Sequence, residues 1–113
     1  MRSKVIRLIR EIGRQRGKER ESAVNATLAE MERAGEIASF YKTDRHADKF
    51  LGIDFYIVTL EKGKVPLQVK SSLGGKQAHQ KKFPDIPVVV IEAGDDSEKI
   101  KNKIRGILER YPE

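Results

Sequence analysis

The sequence contains no cysteine and only two histidines among its 113 residues. Without cysteine there can be no disulfide framework, zinc ribbon, iron–sulfur cluster or thiol nucleophile. His46 and His79 lie far apart and lack the spacing of helical metal ligands, which argues against zinc hydrolysis and Ser-His-Asp catalysis. Any metal ion must therefore be held by oxygen ligands or by these two histidines.

Long hydrophobic runs are also absent. The longest apolar stretch, at residues 88–91, is far shorter than the roughly 20 residues that a membrane-spanning helix needs. The N-terminus is basic but has no apolar segment of the kind found in signal peptides. We therefore expect a soluble, cytoplasmic protein with no membrane partner.

Charge is abundant and unevenly distributed. Hydrophobic residues make up 38% of the chain and charged residues 35%, a composition that predicts one folded domain over residues 1–113. The first 20 residues carry eight Lys or Arg against two Glu, and the rest of the chain sums to zero, so the net charge of +6 lies in this segment. Such a segment suits phosphate backbones or anionic lipid, and a solvated charged face is the alternative.

The N-terminal third of the sequence predicts two helices. Apolar residues at helical spacing indicate a basic amphipathic helix over residues 3–12, within an N-terminal arm formed by residues 1–16. Glycines at positions 13 and 17 are expected to interrupt it before a second helix over residues 18–34, with Val24, Leu28 and Met31 on its core stripe. Glu21 lies on the same stripe, where it needs a partner or a metal ion, unless it only favours the helix start.

Beyond Gly35 the hydrophobic period changes to about two residues, which predicts strands over residues 37–41, 53–60 and 65–71. A polar loop is expected at residues 42–49 and a hairpin turn at 61–64, and Pro66 indicates a strand start or edge. A short polar helix within residues 73–83, a buried strand at 87–91 and a helix capped by Asp96 and Ser97 complete the order. The core stripe of that last helix contains Ile100, Ile104, Ile107 and Leu108. This order describes a three-layer α/β domain with a mixed central sheet flanked by helices.

Polar residues inside two consecutive strands suggest a site. Asp54 interrupts an apolar strand, while Gln68 and Lys70 share one face of the next strand. Pairing that brings Asp54 near Lys70 and Tyr56 near Gln68 would gather these side chains with Glu21 in one pocket. It requires a connection of odd length or a bulge, because a two-residue turn at residues 62–63 would place Asp54 on the opposite face. A structural Asp54–Lys70 ion pair is the alternative.

The segments Gly52-Ile53-Asp54 and Gln68-Val69-Lys70-Ser71-Ser72, separated by a hairpin, resemble the active-site core of the PD-(D/E)XK nuclease superfamily. Residues 17–21 are similar to the start of archaeal Holliday-junction resolvases. The resemblance covers roughly residues 17–92 and implies a restriction-endonuclease-like fold over residues 17–113, with the N-terminal basic helix as an addition. The sequence departs from the family at Gln68, where most members have a second acid and some homing and restriction enzymes have Gln. It also departs at Pro66, close to the site.

The resemblance implies a DNA endonuclease that hydrolyses phosphodiester bonds with Mg²⁺ or Mn²⁺ and no small-molecule cofactor, on branched or otherwise structured DNA. Asp54, Gln68, the Val69 carbonyl and Glu21 would bind the metal, and Lys70 would orient or activate the attacking water. A domain this small covers little duplex, so we expect a homodimer. The alternative is a non-catalytic nucleic-acid-binding module that retains the fold.

Several polar side chains are candidates for DNA contacts. Ser71 and Ser72 either bond the DNA backbone or cap the following helix, and His79 either contacts phosphate or is merely exposed. A membrane-surface role for residues 2–16 is disfavoured because that segment lacks aromatic residues. The complete set of DNA-binding candidates is Arg7, Arg10, Arg14, Arg16, Lys18, Arg20, Ser71, Ser72, Lys76 and His79.

Overall fold

The computed structural model describes the backbone of residues 2–44 and 52–112, and the side chains of residues 17–44 and 52–112. Within these ranges the chain forms three helices and four strands. In chain order they are α1 (Arg2–Arg33), β1 (Ser39–Lys42), β2 (Phe55–Thr59), β3 (Gly63–Lys70), α2 (Leu73–Lys82), β4 (Val88–Val90) and α3 (Ser97–Arg110).

The four strands form one mixed sheet in the order β1-β2-β3-β4. The pairs β1–β2 and β2–β3 are antiparallel, whereas β3 and β4 are parallel. A parallel pair needs a crossover, and α2 supplies it between β3 and β4. The predicted mixed sheet is therefore present.

The sheet has helices on both faces. Alternate residues of the strands point toward α1 and α3, and there they form the hydrophobic core. Helix α2 packs on the other face, against β3 and β4. The result is the predicted three-layer α/β architecture. The buried core consists of Val24, Leu28, Met31, Ile37, Phe55, Ile57, Val65, Leu67, Val69, Val89, Ile91, Ile100 and Ile104.

Helix α1 is one continuous element, so the predicted interruption at Gly13 and Gly17 is wrong. A glycine inside a helix costs only about 1 kcal/mol relative to alanine, which tertiary packing readily offsets. The predicted core stripe is confirmed, since Val24, Leu28 and Met31 are all buried. Gly17 itself has open space around its Cα and imposes no steric requirement for a break.

Helix α3 matches its prediction closely. The Asp96 carboxylate accepts the Lys99 N–H at 2.8 Å and caps the N-terminus. Ile100 and Ile104 are buried, and Ile107 and Leu108 are partly buried against the core. Within the described residues, no helix is both long and apolar enough to cross a membrane.

Candidate functional site

The β2–β3 hairpin sets which side chains share a face. Phe55 lies opposite Leu67 and Thr59 lies opposite Gly63, so residues 60–62 form a connection of odd length, as the site requires. The Lys62 side chain donates to the Glu109 carbonyl at 2.8 Å and holds this turn against α3. Tyr56 pairs with Pro66 rather than Gln68, so the expected register is wrong by two residues, although the side-chain parity is the expected one.

Pro66 occupies a locally unpaired side of β3. The Gln68 N–H bonds the Pro87 carbonyl and the Lys70 carbonyl accepts the Ile91 N–H, so even-numbered residues of β3 direct their backbone groups toward β4. Pairing with β4 starts only at Gln68. The missing N–H of Pro66 therefore faces a position without a strand partner, although β3 is a central strand and the predicted strand start or edge at Pro66 is wrong.

Asp54 lies directly before β2 and is 2% exposed. Its N–H donates to the Leu67 carbonyl at 2.9 Å, and its carboxylate Oδ2 accepts the Val69 N–H at 2.8 Å. Because backbone directions alternate along a strand, the Val69 N–H and carbonyl point to the β2 side, beyond the last β2–β3 pair. The carboxylate thus replaces a strand partner where the ladder ends, and is fixed between the two strands.

Gln68 and Lys70 lie on the face of β3 that α2 covers. Gln68 is 7% exposed, and its Oε1 is buried without a hydrogen-bond partner. A buried oxygen left in this state typically costs about 1–3 kcal/mol, so it calls for an explanation. Of the ion pairs that the described residues form, none includes Lys70, and the alternative Asp54–Lys70 ion pair is absent.

Glu21 does not join this cluster. Its Oε2 accepts a hydrogen bond from the Lys42 ammonium at 2.8 Å. Lys42 lies opposite the core residue Phe55 and hence on the sheet face toward α1, whereas Gln68 and Lys70 lie on the other face. The predicted convergence is therefore corrected: Glu21 has the partner that its position requires, but that partner is Lys42.

His79 was predicted to contact phosphate or to be exposed, and both roles need an accessible ring. The ring is buried, with 7% exposure, and its Nε2 lies 2.8 Å from the Gly52 carbonyl. Burial lowers the pKa of His79 and the nearby Lys70 charge lowers it further, against the opposing effect of the Gly52 hydrogen bond. The neutral ring donates from Nε2, which leaves Nδ1 as a buried acceptor without a partner.

Gly52 is the other half of this contact, a pairing that no sequence pattern indicated. Its φ is +68°, and a Cβ there would lie 2.5 Å from a Phe83 ring carbon and 2.6 Å from His79 Nε2. The two rings themselves are 5.0 Å apart. Only glycine fits beneath them, so α2 clamps the backbone two residues before Asp54 and fixes where that carboxylate lies.

The remaining DNA-binding candidates differ in accessibility. Ser72 caps α2, with its hydroxyl accepting the Gly75 N–H at 3.0 Å, while Ser71 is exposed. Lys18 is exposed and Lys76 is partly buried. Arg20 donates from Nε to the Ile91 carbonyl at 3.0 Å. The side chains of Arg7, Arg10, Arg14 and Arg16 lie outside the described residues, as does His46.

The implied divalent cation can be tested against these donors. Mg²⁺ and Mn²⁺ prefer carboxylate, amide and backbone carbonyl oxygens. The unpartnered Gln68 Oε1, the Asp54 carboxylate and the Val69 carbonyl are donors of that type at one end of β3. The described residues contain no group of three or more His, Cys, Asp or Glu side chains placed to hold a metal. The donor types therefore fit the cation, but with one carboxylate fewer than the resemblance implies.

Comparison with protein families, with curated proteins and with solved structures finds no match to this chain.

Proposed function

We propose that the protein is a divalent-metal-dependent DNA endonuclease with a restriction-endonuclease-like fold, whose site consists of Asp54, Gln68 and Lys70. The buried, unpartnered oxygen of Gln68 carries the proposal. It is explained if a hard cation binds there, because the cation would satisfy an atom that the protein leaves without a partner. The Asp54 carboxylate accepts the N–H of Val69, the residue after Gln68, at 2.8 Å. A charged oxygen that can bind a metal ion therefore lies next to the residue that follows Gln68.

The arrangement of the elements supports the same proposal. A helix, an antiparallel three-strand unit, a crossover helix and a parallel fourth strand surround the Asp54 and Gln68-Val69-Lys70 segments. The start of β2 and the end of β3 lie side by side, and Asp54 bridges the two strands there through Leu67 and Val69.

Each residue has a chemical task under this proposal. Asp54, Gln68 and the Val69 carbonyl would hold the cation, which supplies an activated water and neutralises charge on the phosphate. Lys70, on the same face as Gln68 and without an ion-pair partner within the described chain, is available to orient the water and to stabilise the negative charge that develops on the phosphate.

A non-catalytic nucleic-acid-binding module is the second candidate. The observation that favours it is the Asp54–Val69 hydrogen bond, since this carboxylate already has a structural task in the sheet. Glu21 is paired with Lys42 as well, so Asp54 is the one carboxylate of the proposed set that remains at the site among the described residues.

Plasmid nicking in Mg²⁺ and in Mn²⁺ separates the two candidates. The endonuclease proposal expects nicking by the wild type, and its loss in Asp54→Asn and Lys70→Met. Asp54→Asn is the informative variant because its amide oxygen still accepts the Val69 N–H while the charge is gone; Asp54→Ala would lose both. Gln68→Glu adds a charged ligand and should lower the Mg²⁺ concentration needed, with cleavage retained or raised.

Asp54→Asn purified in parallel also controls for contaminating nuclease. A wild type that binds DNA but nicks plasmid in neither metal would contradict the endonuclease proposal and support the binding module. We also propose that two copies act together on DNA, because one small domain covers little duplex. Sedimentation with and without DNA checks this, and a monomer in both conditions would contradict it.

A further inference from the structure

Two tyrosines and a lysine form a patch on the sheet face opposite the core. Tyr41 of β1 lies directly across from Tyr56 of β2, with ring centroids 5.4 Å apart and planes tilted by 33°. The Lys64 ammonium of β3 lies 4.1 Å from the Tyr56 ring centroid and 5.3 Å from that of Tyr41. We call these three residues the tyrosine patch.

Among the described residues, the tyrosine patch lies on the β1–β2 side of its face, away from α2. Phe55 and Ile57 point into the core, so Tyr56 between them points away, and Tyr41 shares its face. Helix α2 packs on this face against β3 and β4. Within the described chain, Tyr41 is one of the few large apolar side chains that remain exposed, at 43%.

The patch and the proposed site share the same face of β3. Tyr56 pairs with Pro66, and Gln68 and Lys70 follow Pro66 on the same face of β3. Asp54 and Tyr56 are two residues apart in the chain, a separation of about 7 Å along an extended strand. Lys70 lies four residues along β3 from Pro66, about 13 Å in an extended strand, so a nucleic-acid strand with a phosphate at Lys70 would need to extend about that far to reach the two rings.

The charges of the patch match a nucleic-acid strand. The Lys64 ammonium is charged at neutral pH, and the neighbouring Tyr41 hydroxyl raises its pKa further. A ring face next to a permanent cation offers stacking to a base and charge pairing to the neighbouring phosphate. Bases within a duplex already stack on each other, so only an unpaired base presents a free face to Tyr41.

We propose that the tyrosine patch binds an unpaired nucleobase of a DNA strand, which stacks on Tyr41 while Lys64 contacts an adjacent phosphate. The proposal specifies the substrate class of the proposed endonuclease as DNA with unpaired bases near the cleaved bond, and in that respect rests on the proposed function. The binding itself does not depend on cleavage.

The test measures fluorescence anisotropy of the full chain with a labelled thymidine oligonucleotide in EDTA, where no metal-dependent cleavage occurs. Tyr41→Leu removes the aromatic face, and Tyr41→Phe is the matched control because it keeps that face and loses only the hydroxyl. One stacked base contributes about 1–3 kcal/mol, so Tyr41→Leu should weaken binding about 5- to 100-fold. Tyr41→Phe should stay within about threefold of the wild type.

An oligonucleotide with the same phosphates but abasic sugars separates stacking from charge. The wild type should bind it about 5- to 100-fold more weakly than the thymidine strand, whereas Tyr41→Leu should bind the two equally. The wild-type comparison alone does not depend on the folding of any variant. Equal wild-type affinity for both strands, or an equal loss in Tyr41→Phe and Tyr41→Leu, would overturn the proposal.

These outcomes are independent of the nicking assay. Base-dependent binding without nicking would sustain the tyrosine patch and reject the endonuclease. Nicking without base-dependent binding would support the endonuclease and reject the tyrosine patch as a base-binding site. If a protein rather than DNA covers the patch, the wild type will bind the abasic and thymidine strands alike, which also overturns the proposal.

Discussion

Gln68 is the residue at which stability and proposed function oppose each other. Its side chain is almost fully buried, yet Oε1 has no hydrogen-bond partner. An apolar residue of similar shape would remove the desolvation cost of that oxygen. Retaining glutamine here is unfavourable for folding alone, which is the pattern expected where a polar group serves a ligand.

We predict that Gln68→Met raises the free energy of unfolding in metal-free buffer by about 1 kcal/mol, because methionine has a similar shape and no unsatisfied oxygen. Thermal and urea unfolding measure the change. The same variant should lose metal-dependent nicking. A destabilised Gln68→Met protein would show instead that the amide has a structural partner.

Gly52 is a second position where one added atom, a Cβ, is expected to change stability. Its φ of +68° and the 2.5 Å approach of Phe83 both exclude a side chain. Gly63 is a matched control, because its φ is +69° and its surroundings are open. The difference between the two sites isolates the close approach from the backbone conformation.

We predict that Gly52→Ala is more destabilising than Gly63→Ala by about 1–3 kcal/mol, the usual cost of overpacking a closed site. Both variants share the left-handed backbone penalty of about 1–2 kcal/mol. Urea unfolding of the two proteins measures the difference. Equal destabilisation would mean that the Phe83 and His79 rings move aside freely.

At the scale of elements, α1 joins two parts that the sequence suggested were separate. Residues 2–33 form one helix, so the basic N-terminal segment continues directly into the part that carries Val24 and Leu28. In the sequence, Arg7, Arg10 and Arg14 are spaced three and four residues apart, the spacing typical of one helix face, and we call them the N-terminal row.

We predict that the triple variant Arg7→Ala, Arg10→Ala, Arg14→Ala weakens duplex DNA binding about equally for all sequences. It should also reduce the slope of log K against log salt by up to about 3, since each phosphate contact contributes about 0.9. Fluorescence anisotropy from 50 to 200 mM salt, as a rough range, measures this. The charge-matched control replaces exposed Arg33, Lys99 and Arg110 by alanine. Equal slopes in both triple variants would assign the N-terminal row to a solvated face.

At the scale of the whole molecule, two kinds of contact join α1 to the rest of the fold. Leu28 is fully buried in the core that α1 shares with the sheet and α3. Near the surface, Arg105 of α3 donates from Nε to Glu36, just beyond α1, at 2.9 Å, and Lys101 lies 3.0 Å from Glu30. Burial stabilises far more than exposed ion pairs, because water and salt screen the latter.

We predict that Leu28→Ala lowers the free energy of unfolding by about 2–5 kcal/mol, while Arg105→Ala lowers it by less than about 1 kcal/mol. Urea unfolding at low and high salt measures both. High salt should remove the small effect of Arg105→Ala and leave that of Leu28→Ala intact. A comparable loss in the two variants would contradict a fold held mainly by its core.

The sequence determined the features that depend on periodicity. Val24, Leu28 and Met31 in α1 and the corresponding stripe in α3 were predictable because burial repeats with the helical period. The parity of the hairpin, with Gln68 and Lys70 on one face, was predictable as a condition on its connection, because strand side chains alternate strictly. Asp96 was predictable as a helix cap because its partner, the Lys99 N–H, lies only three residues away in sequence.

Only the tertiary structure decided the contacts between residues far apart in sequence. Glu21 needed a partner, but that it is Lys42 and not the predicted site depends on which sheet face α1 covers. The sequence pattern indicated an accessible His79 on a polar helix. In the structure α2 packs over Gly52, and the His79 ring is buried there. The hairpin turn at Lys62 bonds the Glu109 carbonyl near the end of α3, a contact 47 residues away in sequence that periodicity could not indicate. In each instance the deciding energy comes from long-range packing, which local propensity and periodicity do not encode.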